Sequence, residues 1–221
     1  MSLENRKGAK LADPGAELLD GVTLFWERYG RLALGAVGVA VVVSAGLFMT
    51  LRARASQEEQ ASGKLAEANV LFWQGDYPRS LELAKQVSQQ FGSTPSGNDA
   101  HRLAGDNAYW SGDFKTAVGE YRAYLAKQKS GVVADATRRS LAYALESDLK
   151  FAEAAPIYDQ LVGVFDRESS AEFLMASARC HLQMKQPAEA VKRLQRLVDE
   201  FGESSVAMRA RQEIGEIQGA Q

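Results

Sequence analysis

Residues 112–121 read GDFKTAVGEY, and their pattern of an aromatic residue, an alanine three positions on and a tyrosine four further on returns in FAEAAPIY at residues 151–158. Glycine favours the left-handed turn that ends a helix, and aspartate favours the position that begins one, so this stretch predicts two helices joined by a short turn. Its alanine has equivalents along the chain at intervals of 37, 37 and 36 residues: Ser80, Ala117, Ala154 and Ala190.

A second column of small residues shares this period. It lies twelve residues before the first column, at Ala68, Gly105, Ala142 and Ala178. Two small residues per unit let the helices of a unit cross closely. The sequence therefore predicts an all-α fold, a solenoid of about four helix pairs closed by a capping helix over residues 205–217. Residues 92–97 (GSTPSG) predict the loop between the first two pairs.

One N-terminal segment differs in composition from the rest of the chain. Residues 32–51 contain no charged residue and lie between Arg31 and Arg52. Twenty helical residues cover about 30 Å, the thickness of the hydrocarbon layer, so we predict a single transmembrane helix in a lipid bilayer. A cleaved signal peptide is one alternative, but its apolar run and its N-terminal region are shorter. A buried core helix is the other, but it seldom lacks charge on every face.

Small residues recur every four positions inside this segment, at Ala36, Ala40 and Ser44. Such a stripe lets a partner helix approach closely, and these three residues are the candidates for transmembrane packing. The alternative interpretation is that small residues are common in membrane helices in any case.

The transmembrane prediction divides the chain into four parts. Residues 1–31 form a tail ending in a juxtamembrane amphipathic helix, residues 32–51 the span, residues 52–60 a polar helical connector, and residues 61–221 the repeat domain. The tail carries five positive residues against three in the first 20 residues after the span, which favours a cytoplasmic tail. Counting only the 20 residues on each side reverses this to two against three.

The composition argues against several classes of function. Lysine and arginine number 26 against 28 acidic residues, a net charge of -2, which gives no basic excess for binding nucleic acid. One cysteine and two histidines cannot supply a Cys/His metal framework. Phosphate-loop, dinucleotide and zinc-peptidase motifs are absent from the sequence, and the adjacent Cys180 and His181 would point about 100° apart on a helix. We therefore predict no metal, no cofactor and no enzymatic activity.

The repeated residues resemble the tetratricopeptide repeat, whose second helix carries an alanine followed four residues later by an aromatic residue. Ala117 with Tyr121 and Ala154 with Tyr158 match this motif. The period of 36–37 residues is longer than the usual repeat of about 34. The resemblance implies a tetratricopeptide-like solenoid that binds other proteins.

In tetratricopeptide domains the first helix of each pair lines a concave groove, and the same register selects fourteen candidate groove residues in this chain. Eight of the fourteen are aromatic residues or arginines, which is typical of binding hot spots. For the aromatic residues the alternative is packing between helices. The candidates are Leu65, Asn69, Phe72, Trp73, Arg102, Asp106, Tyr109, Trp110, Arg139, Tyr143, Glu146, Met175, Arg179 and Gln183.

The order of the parts resembles one family in particular. A polar tail, FWERYGR at residues 25–31, one apolar span and a polar helix leading into repeats are similar to the ancillary subunit of the Sec translocon, the YfgM-like family. This resemblance implies a single-pass protein of the bacterial inner membrane with a cytoplasmic N-terminus and a periplasmic repeat domain. It also implies association with the Sec translocon, a membrane-anchored folding factor and exported client proteins.

Two other functions fit the same features. The chain could be a structural subunit or assembly scaffold of another membrane complex, held by the small-residue stripe. With inverted topology it would be an adaptor that faces the cytoplasm.

Overall fold

The computed structural model describes the backbone of residues 14–219 and the side chains of residues 19–219. The chain divides into two compact units between Arg54 and Ala55. Helix α1 (Pro14–Trp73) forms the described part of the first unit and supplies the first helix of the second. Residues 1–13 of the predicted tail lie outside the described residues.

Helix α1 contains a segment long and apolar enough to cross a membrane, by length and composition. Its apolar side chains, among them Val42, Phe48 and Met49, are exposed within the described chain. Contiguous exposed apolar surface is unfavourable in water, whereas a helix satisfies its own backbone hydrogen bonds in lipid. The first unit is therefore a candidate membrane span, and it includes Ala36, Ala40 and Ser44, which are exposed.

Up to residue 219, the last described residue, the second unit contains the end of α1 and eight further helices. From α2 to α9 each helix packs against the next along the chain. The four successive pairs and the final single helix confirm the predicted all-α solenoid with about four helix pairs and a capping helix. The helices after α1 are α2 (Tyr77–Gln90), α3 (Pro95–Trp110), α4 (Phe114–Lys127), α5 (Val132–Ser147), α6 (Phe151–Leu161), α7 (Arg167–Gln183), α8 (Pro187–Glu200) and α9 (Ala207–Gly219).

The two columns of small residues lie where the helices of a pair cross. Ala68 and Ser80 are fully buried, and the Ser80 hydroxyl donates a hydrogen bond to the Ala68 carbonyl oxygen over 2.7 Å. In the second pair, a Cβ added to Gly105 would lie 2.6 Å from the ring of Tyr121. These distances leave no room for larger side chains, which explains why the period of small residues predicts the fold.

The core follows the solenoid as a series of contacting layers. The largest cluster extends from α3 to α7 and includes the buried rings of Tyr121, Tyr158 and Phe173. A second cluster joins α7, α8 and α9 around Leu174 and Leu194. Each pair buries its apolar residues against the next, so the last pair requires α9 as a cover.

The same type of tight turn joins the two helices of every pair. It contains one residue in the left-handed conformation: Gly75 (φ 81°), Gly112 (φ 78°), Leu149 (φ 59°) or Lys185 (φ 58°). In all four turns the N–H of the following residue donates to the carbonyl oxygen five residues earlier, which is the Schellman ending of a helix. The Gly-Asp pair at residues 75–76 and 112–113 therefore has the role that the sequence predicts.

The loop between the first two pairs is shorter than the predicted residues 92–97. Helix α3 begins at Pro95, and the Thr94 hydroxyl oxygen accepts a hydrogen bond from the N–H of Gly97 over 3.0 Å. The prediction was wrong at residues 95–97 because proline is also favoured in the first turn of a helix.

Asp113 provides a test of the turn in the second pair. It is the N-cap of α4, and its carboxylate accepts a hydrogen bond from the backbone N–H of Thr116 over 3.1 Å. The hydroxyl of Thr116 and then this N–H hold the pKa of Asp113 below its usual value. We expect Asp113→Ala to lower the free energy of unfolding by about 1 kcal/mol near neutral pH, as measured by urea unfolding.

The pH dependence follows from the direction of that pKa shift. A carboxyl whose pKa is lower in the folded state stabilises the fold above its unfolded-state pKa of about 3.9, and this contribution is lost as the pH falls through the folded-state pKa. The difference between wild type and Asp113→Ala should therefore shrink in acid, and a constant difference would contradict the assignment. Gln186→Ala is the matched control, because Gln186 is an N-cap whose side chain makes no capping bond; its Oε1 lies instead 2.8 Å from Nδ1 of His181.

Candidate functional site

The fourteen candidate groove residues lie on the first helices of the pairs, α1, α3, α5 and α7. Thirteen of them are exposed or partly exposed. Trp73 and Trp110 are 82% and 62% exposed, although tryptophan is on average a largely buried residue. These two rings are available to a partner.

Met175 is the exception among the candidates. It is 5% exposed and belongs to the cluster that joins α7, α8 and α9. Met175 is therefore a core residue and not a groove residue. The reason is that α7, near the end of the solenoid, is buried around most of its circumference.

The first pair holds several candidates in local contacts. Leu65 and Phe72 pack against the buried cluster around Ala68 and Leu103. The side-chain amide of Asn69 donates to the carbonyl oxygen of Leu65 over 2.9 Å. Phe72 therefore packs between helices, as the alternative interpretation of the aromatic candidates states, and it is also partly exposed.

Asp106 is the centre of a hydrogen-bonded group in the second pair. Its Oδ1 accepts from the Tyr121 hydroxyl over 2.8 Å, and its Oδ2 accepts from Nη1 of Arg102 over 2.9 Å. Burial raises the pKa of the Asp106 carboxyl, and burial followed by the nearby Asp106 charge raises the pKa of Tyr121. The site thus combines a partly desolvated carboxylate with a phenol that stays protonated.

Glu146 forms a related group in the third pair. Its Oε2 accepts from the Tyr158 hydroxyl over 2.7 Å and from Nη2 of Arg179 over 3.0 Å. The bond to Glu146 raises the pKa of Arg179, which keeps the guanidinium charged. Because Arg179 lies on α7, this ion pair connects the third pair to the fourth.

The two tyrosines in these groups occupy the same column of the repeat, four residues after the reference alanine. In the sequence, Tyr121 and Tyr158 are identified as the aromatic residues of the repeat motif. The structure shows that each also reaches a carboxylate on the first helix of its own pair. The appearance of tyrosine in both repeats was the available signal, since phenylalanine fills space as well but cannot donate a hydrogen bond.

A row of aromatic side chains crosses from the first pair to the second at the ends joined by the tight turns. Successive ring centroids are 5.4 to 6.4 Å apart, within the usual range for aromatic pairs. The contact between the pairs is made by Tyr77 and Trp110, whose rings are stacked at 6.4 Å. In order, the aromatic row is Trp73, Phe72, Tyr77, Trp110, Tyr109 and Phe114.

A cavity of about 160 Å³ opens beside this row, between α3, α4 and α5; we call it the α3–α5 cup. Four of the candidate groove residues line it, and Tyr121 and Ser140 complete it. The four are Asp106, Tyr109, Trp110 and Tyr143.

The remaining candidates lie farther along the repeats. The guanidinium of Arg139 lies over the ring of Phe165, 5.3 Å from its centroid, and Gln183 is exposed near the end of α7. Arg139 is thus partly held by a cation–π contact on its own protein.

The groups with possible chemical reactivity are held in structural contacts. Cys180 is buried, and this burial raises the pKa of its thiol to about 12, which disfavours the reactive thiolate. His101 Nδ1 lies 2.8 Å from Oε2 of Glu120. Within residues 14–219, no group of three or more His, Cys, Asp or Glu residues is placed to hold a metal ion.

The packed helix pairs, the close crossings at small residues and the exposed first-helix side chains define a solenoid of the tetratricopeptide class. A sequence model described as a tetratricopeptide repeat-like domain matches residues 24–163, and one described as a tetratricopeptide repeat matches residues 139–215. The first covers more than half of the chain, so the protein belongs to the tetratricopeptide repeat-like domain family. Such repeats generally mediate protein–protein interaction.

Solved structures show the same fold. Two crystal structures described as "Podosopora anserina putative kinesin light chain nearly identical TPR-like repeats", one of them a single-substitution variant, are 18% identical in sequence to this chain. Each superposes with a TM-score of 0.57, over 74% of this chain and 87% of the other. No curated protein matches this chain.

Proposed function

We propose that this protein is a membrane-anchored protein-binding module, an accessory to the Sec translocon and the periplasmic chaperone network, which holds partner or client proteins in its groove. The observation that carries the binding role is the exposed aromatic row together with the α3–α5 cup. Exposed rings beside directed polar groups are typical of interface hot spots, because they bury a large area at a low cost in side-chain entropy.

The membrane attachment and the translocon role have separate support. The exposed apolar segment of α1 supports an anchor. The order of tail, FWERYGR motif at residues 25–31, span and repeats supports the resemblance to the ancillary translocon subunit. On this proposal the N-terminus is cytoplasmic and the repeat domain lies in the periplasm, beside the inner membrane.

Site-specific photo-crosslinking in intact bacteria tests the proposal. With a photoreactive residue at position 110, we expect crosslinks to translocon subunits, to a membrane-anchored folding factor or to exported proteins. The matched control is Gln160, an exposed residue on the second helix α6, which should give far fewer crosslinks. Equal patterns at the two positions would argue against the groove as the binding site.

The identity of the crosslinked proteins and the orientation of the domain decide the rest. If the crosslinked proteins all belonged to another membrane complex, the protein would be an assembly subunit of that complex and not an accessory to the translocon. Protease added to spheroplasts should digest the repeat domain, and resistance until the membrane is lysed would mean that the repeats face the cytoplasm.

A further inference from the structure

We propose that the α3–α5 cup receives a lysine or arginine side chain of the bound polypeptide. This inference rests on the proposed function and names the feature of the partner that the groove recognises.

The walls of the cup suit a cation. The rings of Tyr109 and Trp110 are 6.2 Å apart and lie at 88° to each other, so they form two walls that meet at a right angle. Tyr143, which is 37% exposed, adds a third ring, and the almost fully buried Tyr121 completes the aromatic lining. Ammonium and guanidinium groups are attracted to the faces of such rings, and most strongly to tryptophan.

The polar atoms of the cup offer several hydrogen-bond acceptors. The ionised Asp106 carboxylate has about four acceptor sites, of which Tyr121 and Arg102 occupy two. The hydroxyl oxygens of Tyr121, Ser140 and Tyr143 can also accept. A guest rich in N–H donors can use all of these acceptors, including the free sites of Asp106. The carboxylate of an acidic guest could accept from the hydroxyls of Ser140 and Tyr143, but it would lie beside the Asp106 carboxylate.

The charge of the cup also favours a cation over an anion. Asp106 is the charged residue among the six that line it, and burial raises the pKa of its carboxyl, so the carboxylate is incompletely solvated. A cationic side chain in the cup would be attracted to the Asp106 carboxylate, and an anionic side chain would be repelled by it. Arg102 binds Oδ2 of Asp106 from one turn earlier on α3 and is not part of the lining, so a second cation can approach from within the cup.

Retention of defined peptide pools by the full-length protein in detergent micelles tests this assignment. The pools are random in sequence except for one fixed central residue, which is lysine, arginine, glutamate or methionine. We expect the lysine and arginine pools to be retained about tenfold more than the other two, the effect of a partly desolvated cation–π and charge interaction.

Two variants of the cup and one control locate the effect. Asp106→Asn should bring the retention of the lysine and arginine pools close to that of the methionine pool, with the helix content checked by circular dichroism. Trp110→Leu should reduce the preference severalfold without endangering the fold, since Trp110 is 62% exposed. Glu203→Gln, at an exposed acid in the turn between α8 and α9 and outside the cup, should leave it unchanged.

The outcomes separate this inference from the proposed function. Equal retention of all four pools, above that of bare resin, overturns the cation site and leaves polypeptide binding in place. A lysine and arginine preference that survives both cup variants also overturns it. Failure to retain any pool overturns both.

Discussion

Gly97→Ala is expected to lower the free energy of unfolding of the repeat domain by about 3 kcal/mol, although it adds a single methyl group. A Cβ at this position would lie 1.9 Å from the carbonyl oxygen of Phe91 and 3.0 Å from the backbone nitrogen of Gly92. Backbone atoms cannot rotate away from the methyl group as a flexible side chain could. The start of α3 must therefore move, which also disturbs the bond from the Gly97 N–H to its cap, Thr94.

Gly119→Ala is the matched control for this prediction. Gly119 is also a helical glycine, but it is exposed on α4, and a Cβ there would meet nothing within 4 Å. Alanine should then raise the free energy of unfolding by about 0.5 to 1 kcal/mol, because it restricts the unfolded chain and favours the helix. Urea unfolding followed by circular dichroism measures both changes. A Gly97→Ala protein as stable as the wild type would show that the first turn of α3 does not pack against the backbone of Phe91 and Gly92.

Tyr158→Ala should cost about 3 to 5 kcal/mol, the range for truncating a large buried aromatic residue. Tyr158 is fully buried in the largest core cluster, and its ring lies 6.0 Å from that of Tyr143 and 6.3 Å from that of Phe173. Its truncation would leave a cavity and remove the hydrogen bond to Glu146. Since a domain of this size is commonly stable by only about 5 to 15 kcal/mol, much of the stability would be lost.

Two further variants separate packing from hydrogen bonding at this site. Tyr143→Ala removes a neighbouring ring of the same kind that is 37% exposed, and it should cost clearly less than Tyr158→Ala in the same unfolding experiment. Tyr158→Phe keeps the ring and should cost about 1 kcal/mol, because Glu146 still accepts from Arg179. If Tyr158→Phe proved as damaging as Tyr158→Ala, the hydrogen bond and not the packing would dominate.

The spacing of small residues predicted the architecture because close helix crossings restrict residue size directly. Ala68 and Ser80 touch through a hydrogen bond, so no large side chain can replace either one without moving a helix. The start of α3 was predicted less well, since Pro95 is compatible both with a loop and with the first turn of a helix. Only the position of Gly97 against the backbone of Phe91 in the folded chain distinguishes the two.

The register of the first helices predicted which side chains would be candidates, but not what each of them contacts. Met175 has the position of a groove residue, yet the capping helix and its neighbours bury it, and such end effects are not encoded in a repeat pattern. The carboxylate partners of the tyrosines also differ in position, because Asp106 lies eleven residues before its reference alanine and Glu146 lies eight before. Hydrogen bonds of this kind depend on how far a side chain reaches across two helices, and that requires coordinates.

The tight turns share one backbone geometry among four repeats of different sequence. Leu149 and Lys185 adopt the left-handed conformation at a steric cost that glycine avoids, and the turn nevertheless closes with the same hydrogen bond in all four pairs. Among the four repeats, the backbone angle therefore varies less than the amino acid that adopts it. A search for related units that demands the Gly-Asp pair would detect two of these four, whereas one that compares backbone geometry would detect all of them.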